Sequence, residues 1–290
     1  MSGVNQISPE LAKKLTQAVE KMPAFPKSVQ KILELTRNLD CEPKHLVQVI
    51  EKDPVITVKI LRVLNSAYYN LPSKITSVNH SVAFLGFNTI KNLALGIASV
   101  GILPKQNDAG FDIQQYLLHS LTTAGIAKLL AGKLGDADPM DCYIAGLLHD
   151  FGKVVFAQFM PGEFSQVLQE SSSENIPLHE AESRIIGIDH SVVGAMLAEK
   201  WQFPKALADC IRNHHAPDDG EGGMWVSVYT ANQISKKMAF GDGGDHCIEV
   251  LPPAVRNCFG GDLDTIIASL GDLSNIVEEA RLFSQAGADA

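Results

Sequence analysis

An all-α chain of many short helices is what this sequence predicts, and three observations carry that prediction. Apolar residues recur at three- and four-residue intervals through most of its 290 residues. Ser-Pro, Asp-Pro and Gly/Pro/Asn clusters interrupt those stretches at helix-length spacing. No run shows the sustained alternation of a strand, and no internal repeat or long low-complexity segment is evident.

Taken in order, Ser8 and Pro9 form an N-cap and first-turn pair, with Leu11, Leu15 and Val19 on one face. Pro26 opens a second helix with Val29, Ile32, Leu33 and Leu35 inward. Pro43 to Glu51 is a third. Asp53-Pro54 starts a fourth, whose apolar residues are Val55, Val58, Ile60, Leu61 and Leu64 and which Asn65-Ser66 ends. After a loop at Leu71-Pro72-Ser73, helices Val78 to Leu85 and Asn88 to Ile97 are separated by Gly86. The polar run Leu103 to Gly110 reads as a hinge. Beyond it come helices Asp112 to Leu134, Pro139 to His149, Gly162 to Ser171, Pro177 to Ile186, Ser191 to Trp201, Pro204 to Asn213 and Trp225 to Met238. Asp218 to Gly223 is an acidic, Gly-rich loop, Gly241 to Asp245 is expected to be mobile, and Asp262 to Ser284 reads as one helical tail.

Composition narrows the function. The chain is 46% hydrophobic and 20% charged, enough apolar surface for a sizeable core in one large domain or two modest ones. A net charge of -9 repels phosphate backbones and argues against broad nucleic-acid binding. No apolar run reaches the roughly 20 residues that a membrane helix needs. Met1 to Lys14 is too polar for a signal peptide, so a cytoplasmic location is expected, with no membrane partner. The cysteines, Cys41, Cys142, Cys210, Cys247 and Cys258, are odd in number and form no C-x-x-C pair, which argues against a disulfide framework or a thiolate zinc site.

The histidines are more informative. His149 and Asp150 end the apolar run Tyr143 to Leu148, and both can reach one ion if the helix end points at it. Neutral imidazole suits borderline divalent metals, and an aspartate can bridge two of them. Lys153 follows one turn on, placed to neutralise a phosphate oxygen. His119 interrupts an apolar neighbourhood in mid-helix, His190 opens a helix, and His214-His215 closes another. Ligands arriving from facing helices are how helical bundles build metal centres. A lone buried histidine is more often a satisfied core residue, and His45, His80, His179 and His246 are read that way.

These residues resemble those of a known family. Gly146-Leu147-Leu148-His149-Asp150-Phe151-Gly152-Lys153 is similar to the core motif of the HD superfamily of metal-dependent phosphohydrolases. Met22 to Pro26, Asp53 to Ile56, Lys59 to Leu61, Asn65 to Tyr68, Ile75 to Ser77 and Ala83 to Gly86 resemble the HDOD signature. Gly187 to His190, Gly194-Ala195, Trp201 to Pro204 and Ile211 to His215 resemble its C-terminal half. The likeness runs from about Pro23 to Lys237. It implies a helical N-terminal part packed on an HD-like helical part, with one or two divalent ions (iron, zinc or manganese) held by His119, His149, Asp150, His190, His214 and His215. In a hydrolase, Asp150 and Lys153 would be the catalytic pair. Against the related HD-GYP phosphodiesterases, Gln115 stands where a glutamate ligand belongs. Asn232 is the nearest stand-in for a late aspartate, and only Asp219-Gly220-Glu221-Gly222 echoes a D-G-x-G turn. Fewer anionic ligands mean a less activated water.

The expected organisation is residues 8–104 as the N-terminal part, 105–240 as the HD-like part and 241–290 as a helical extension. The expected function is a bacterial-type signal-transduction module that keeps its metal-binding HD site and meets a signalling protein or a nucleotide second messenger. The alternative is an active phosphohydrolase of nucleotides or cyclic dinucleotides. No receiver, kinase or cyclase segment is evident, so input is expected through a partner, a ligand or self-association.

Overall fold

The computed structural model describes residues 8–37, 42–66, 74–104, 106–215 and 222–288. Cys41, Ala67-Tyr68, the predicted loop at Leu71–Ser73 and Asp218–Glu221 lie outside the described residues, as do the side chains of Val29 and Leu33. Every regular element among the described residues is an α-helix. None of these helices is long and apolar enough to cross a membrane.

The chain groups into two compact units, residues 23–103 with 278–290, and residues 1–22 with 104–277. Helix α1 (Pro9–Lys21) belongs to the latter. The former holds α2 (Lys27–Arg37), α3 (Pro43–Glu51), α4 (Pro54–Leu64), α5 (Val78–Leu85) and α6 (Phe87–Gly101), closed over Leu46, Ile50, Ile60, Leu64, Ile90 and Leu93. Asp53 caps α4 by accepting from the amides of Val55 and Ile56, and Ser28 Oγ donates to its other oxygen at 2.7 Å. Asn65 ends α4 and grips Ile75 by two bonds, donating to its carbonyl and accepting from its amide, each at 2.8 Å. Val55, Val58 and Phe84 are exposed.

The other unit is built on α7 (Ile113–Leu134), which packs on α8 (Pro139–Leu148) and α14 (Gly223–Lys237). Around them lie α9 (Phe151–Phe159), α10 (Pro161–Glu174), α11 (Leu178–Ile185), α12 (His190–Lys200), α13 (Lys205–Asn213), α15 (Pro253–Phe259) and α16 (Leu263–Leu270). Helix α17 (Ser274–Ala288) is divided between the groupings at Val277.

The expected partition differs in two places. Helix α1 groups with the HD-like part because its buried face, Leu15, Ala18 and Val19, packs on α9 and α12. Lys200 Nζ also binds the carbonyls of Val19, Glu20 and Met22 at 2.7–2.8 Å. Residues 241–277 are not a separate extension, since α15 and α16 pack on α14. The predicted helical tail is two helices, broken at Gly271, whose φ is 72°. The segment Gly241–Asp245 is pinned rather than mobile: Asp242 N donates to Gln115 O at 3.0 Å, and Lys236 Nζ binds Asp245 at 2.6 Å.

Candidate metal centre

Four helix ends and one helix middle deliver the charged and imidazole groups. Asp138 caps α8 by accepting from the amides of Met140 and Asp141. The helix runs through a wholly buried apolar stretch and stops at His149, and α9 restarts from Asp150. The break lets adjacent side chains converge, which an unbroken helix would forbid. Asp189 caps α12 and starts it at His190, while α13 ends at His214. His119 comes from the middle of α7.

Helix α9 reaches α12 at a glycine. A Cβ on Gly152 would lie 2.0 Å from the carbonyl oxygen of His190 and 2.9 Å from Gly194 N. That close crossing is what brings His190 to the His149-Asp150 pair.

Asp150 is the hub. Its Oδ1 lies 3.0 Å from His190 Nε2 and 3.5 Å from His214 Nε2. Its Oδ2 lies 3.3 Å from His149 Nε2, 3.6 Å from His119 Nε2 and 2.7 Å from Lys153 Nζ. Two ligand groups result, Asp150 with His190, His214 and His215, and Asp150 with His119 and His149. The sequence-predicted residues therefore all come together. His119, His149, Asp150, Lys153, His190 and His214 are each no more than 2% exposed, and His215 is half-buried.

The residues present fit a metal. Nδ1 of His149 bonds Gly146 O and Nδ1 of His214 bonds Ile211 O, both at 2.7 Å, which leaves Nε2 of each ring to point inward with a lone pair. Nε2 of His119, His149 and His214 and Oδ1 of Asp150 are buried without a hydrogen-bond partner. Four such atoms at one place are what a cation would satisfy.

Charge is set by the surroundings. Burial pushes His119 down to about 3 and His214 down to about 4, so both rings are neutral at neutral pH. Burial works against a charge on His190 too, but the Glu182 carboxylate outweighs it and holds the ring up at about 9. Burial would also raise Asp150, yet His149 and Lys153 beside it keep the carboxyl well below its usual value.

Several residues at the centre escaped the sequence reading. Glu182 Oε2 accepts from His190 N at 2.8 Å and sits 2.5 Å from His190 Nδ1. Its signal was an acid within the helical stripe Leu178, Ala181, Glu182, Ile185. Gly243 O accepts from Lys153 Nζ at 3.0 Å, so the 241–245 segment covers the centre. A Cβ on Gly241 would lie 2.3 Å from His119 N, and its φ is 78°. Gln115 is exposed, and it meets the covering segment through its backbone carbonyl. Asn232 is buried with Oδ1 unpartnered. His179 stacks on His215 with ring centroids 4.2 Å apart, whereas His45, His80 and His246 are exposed rather than the core residues the sequence suggests.

Comparison with known proteins agrees with this fold. The HDOD domain family matches residues 22–217. An HDOD domain protein of unknown function from Geobacter sulfurreducens is 27% identical, with a TM-score of 0.78 over 96% of this chain and 97% of its own. A structure from Marinobacter aquaeolei named for signal transduction is 24% identical, with a TM-score of 0.75 over 98% of this chain and 68% of its own, and shares the fold. An uncharacterized protein of Treponema pallidum is 27% identical over 71% of this chain, which spans 40% of that relative's length.

Proposed function

The chain belongs to the HDOD domain family, matched over residues 22–217, and from that premise we propose that it is a regulatory signalling module whose HD centre holds a divalent metal without turning over a phosphoester. One observation carries this reading: the centre is sealed. All the inward-facing ligands except His215 are essentially unexposed, and the segment ending at Asp245 lies over them. Lys153, the group a hydrolase would turn toward a phosphate, is held by Asp150 and by the Gly243 carbonyl.

His119, His149, Asp150, His190 and His214 would hold the metal, with Glu182 orienting His190. An iron, zinc or manganese ion there would supply Lewis acidity and positive charge. In a sealed centre that charge neutralises Asp150 and ties α7, α8, α12 and α13 together. Metal loss would then loosen the unit and alter its binding to a signalling protein or a nucleotide second messenger. The phosphohydrolase reading has one observation in its favour, since histidines approach both oxygens of Asp150, as a carboxylate bridging two ions requires.

The test is elemental analysis of wild type and Asp150→Ala, purified without a histidine tag, alongside a phosphodiester hydrolysis screen. Near-stoichiometric metal that Asp150→Ala loses, with no turnover, is expected. Metal-dependent turnover abolished by Asp150→Ala would favour the hydrolase. Full metal retention in Asp150→Ala would overturn the centre itself.

A further inference from the structure

A second cluster lies beside the HD centre. His179 from α11, His215 after α13 and Glu249 in the segment after α14 each offer a ligand atom, and these atoms lie within 4.8 Å of one another. We infer that His179, His215 and Glu249 form a second cation site, which takes one divalent transition-metal ion of the zinc class.

Two independent features point to a ligand there. Nδ1 of His179 and Oε1 of Glu249 are buried and lack any hydrogen-bond partner. The other Glu249 oxygen is 3.4 Å from Tyr229 Oη, and Gln233 holds the Glu249 amide at 2.9 Å, so the carboxylate is positioned while one oxygen stays free. The donor set is also selective. Two imidazoles and one carboxylate are a recurrent three-ligand zinc set that leaves a fourth position for water. Zinc–nitrogen bonds of roughly 2.0–2.1 Å require ligand atoms to draw in from the observed span, a movement within reach of side-chain rotation.

Helix α11 links the two sites. His179 and Glu182 are three residues apart on one helical face, so the same face delivers Glu182 to His190 and His179 to His215. His215 is the shared residue, since its Nε2 lies 2.8 Å from His190 Nε2. Access separates the sites: His179, His215 and Glu249 are all half-buried, whereas the HD centre is sealed. The outer ion should therefore exchange quickly and the inner one slowly. The outer site does not include Asp150, so it stands whether or not the HD centre is loaded.

Untagged wild type, His179→Gln, Glu249→Gln and Asp150→Asn are stripped of metal and loaded with Zn²⁺ or Co²⁺. Metal per chain, release to a brief chelator pulse and the Co²⁺ visible spectrum are then recorded. We expect the pulse to remove one equivalent from wild type, and both outer variants to lack that equivalent or bind it at least tenfold more weakly. Asp150→Asn should keep the equivalent and its Co²⁺ bands. Equal uptake and unchanged spectra in both outer variants would overturn the inference and leave the free atoms to water. Loss of the labile equivalent in Asp150→Asn, with the outer residues intact, would overturn it as well by assigning that ion to the HD centre. Both outer positions are half-buried, and circular dichroism checks each variant's fold separately.

Discussion

Gly152→Ala sets helix propensity against packing, and the structure says which wins. Alanine in place of glycine favours a helix by at most about 1 kcal/mol, and by less in a first turn such as this one. Against that, the new Cβ would lie 2.0 Å from His190 O and 2.8 Å from its carbonyl carbon, both backbone atoms that no rotamer change can move. Ordinary contact begins near 3.4 Å, so α9 and α12 would have to part by more than 1 Å. Overpacking of this kind costs about 1–3 kcal/mol, and a backbone–backbone clash belongs at the upper end. The net expectation is a loss of about 2 kcal/mol in the metal-free protein. The same displacement carries His190 away from Asp150, from which it now stands 3.0 Å. Metal ligands tolerate errors of about 0.2 Å, so metal affinity should fall more than tenfold. Urea unfolding followed by circular dichroism reads the first effect, and chelator competition reads the second. A Gly152→Ala protein as stable as wild type, with unchanged metal affinity, would refute the reasoning that this glycine sets the helix crossing.

Glu182→Gln should weaken metal binding by about 10–100-fold while leaving the helical content intact, because it loosens the partner that orients His190; chelator competition showing equal affinity would remove Glu182 from the centre. Lys153→Met leaves the Asp150 carboxylate without its buried cation, so the metal-free protein should lose about 3–5 kcal/mol and recover most of it on loading; equal losses in metal-free and loaded protein, read by urea midpoints, would count against a cation-for-cation role. Burial would raise Asp245, but Lys236 and then Lys153 outweigh it and hold the carboxyl below its usual value. Its contribution to stability is therefore present above the unfolded aspartate value of about 3.9 and is lost as pH falls through the lower folded value. Asp245→Asn should accordingly flatten the acid limb of a stability–pH curve, and an unaltered limb would show that the Lys236 pair contributes nothing there.

Much of this was legible in the sequence because it is local. Asp53-Pro54 and Ser8-Pro9 cap their helices as read, and Asp112 starts α7 by accepting from the amides of Gln114 and Gln115. The side chains that converge on Asp150 were legible as a set because chemistry-bearing side chains at helix ends and in apolar faces have few other uses. What escaped depends on distant partners. Gly241–Asp245 has the composition of a mobile loop, yet it is fixed by a carbonyl of α7, by Lys153 of α9 and by Lys236 of α14, none adjacent to it in sequence. Helix α9 went unread because the apolar run Val154 to Ala157 is buried all round and gives no periodic face. Val55 and Val58 are apolar by type but exposed, since hydrophobicity alone does not say which side of α4 meets the core.

The two oxygens of Asp150 are not equivalent, and that bears on how many ions the HD centre can take. On the Oδ1 side stand His190, whose ring Glu182 keeps protonated, and His214, with no lysine or arginine among the described residues in contact. On the Oδ2 side, beside His119 and His149, sits the Lys153 ammonium at 2.7 Å. Burial opposes its charge, but Asp150 and then Asp245 more than compensate, so the lysine stays protonated. A divalent ion on that side would share an oxygen with a buried ammonium, and at such range in a poorly screened interior their repulsion is large. Lysine and second metal are thus alternatives at Oδ2. One ion on the Oδ1 side and one ammonium on the other would balance Asp150 from both sides, a charge arrangement suited to holding helices together under a closed cover.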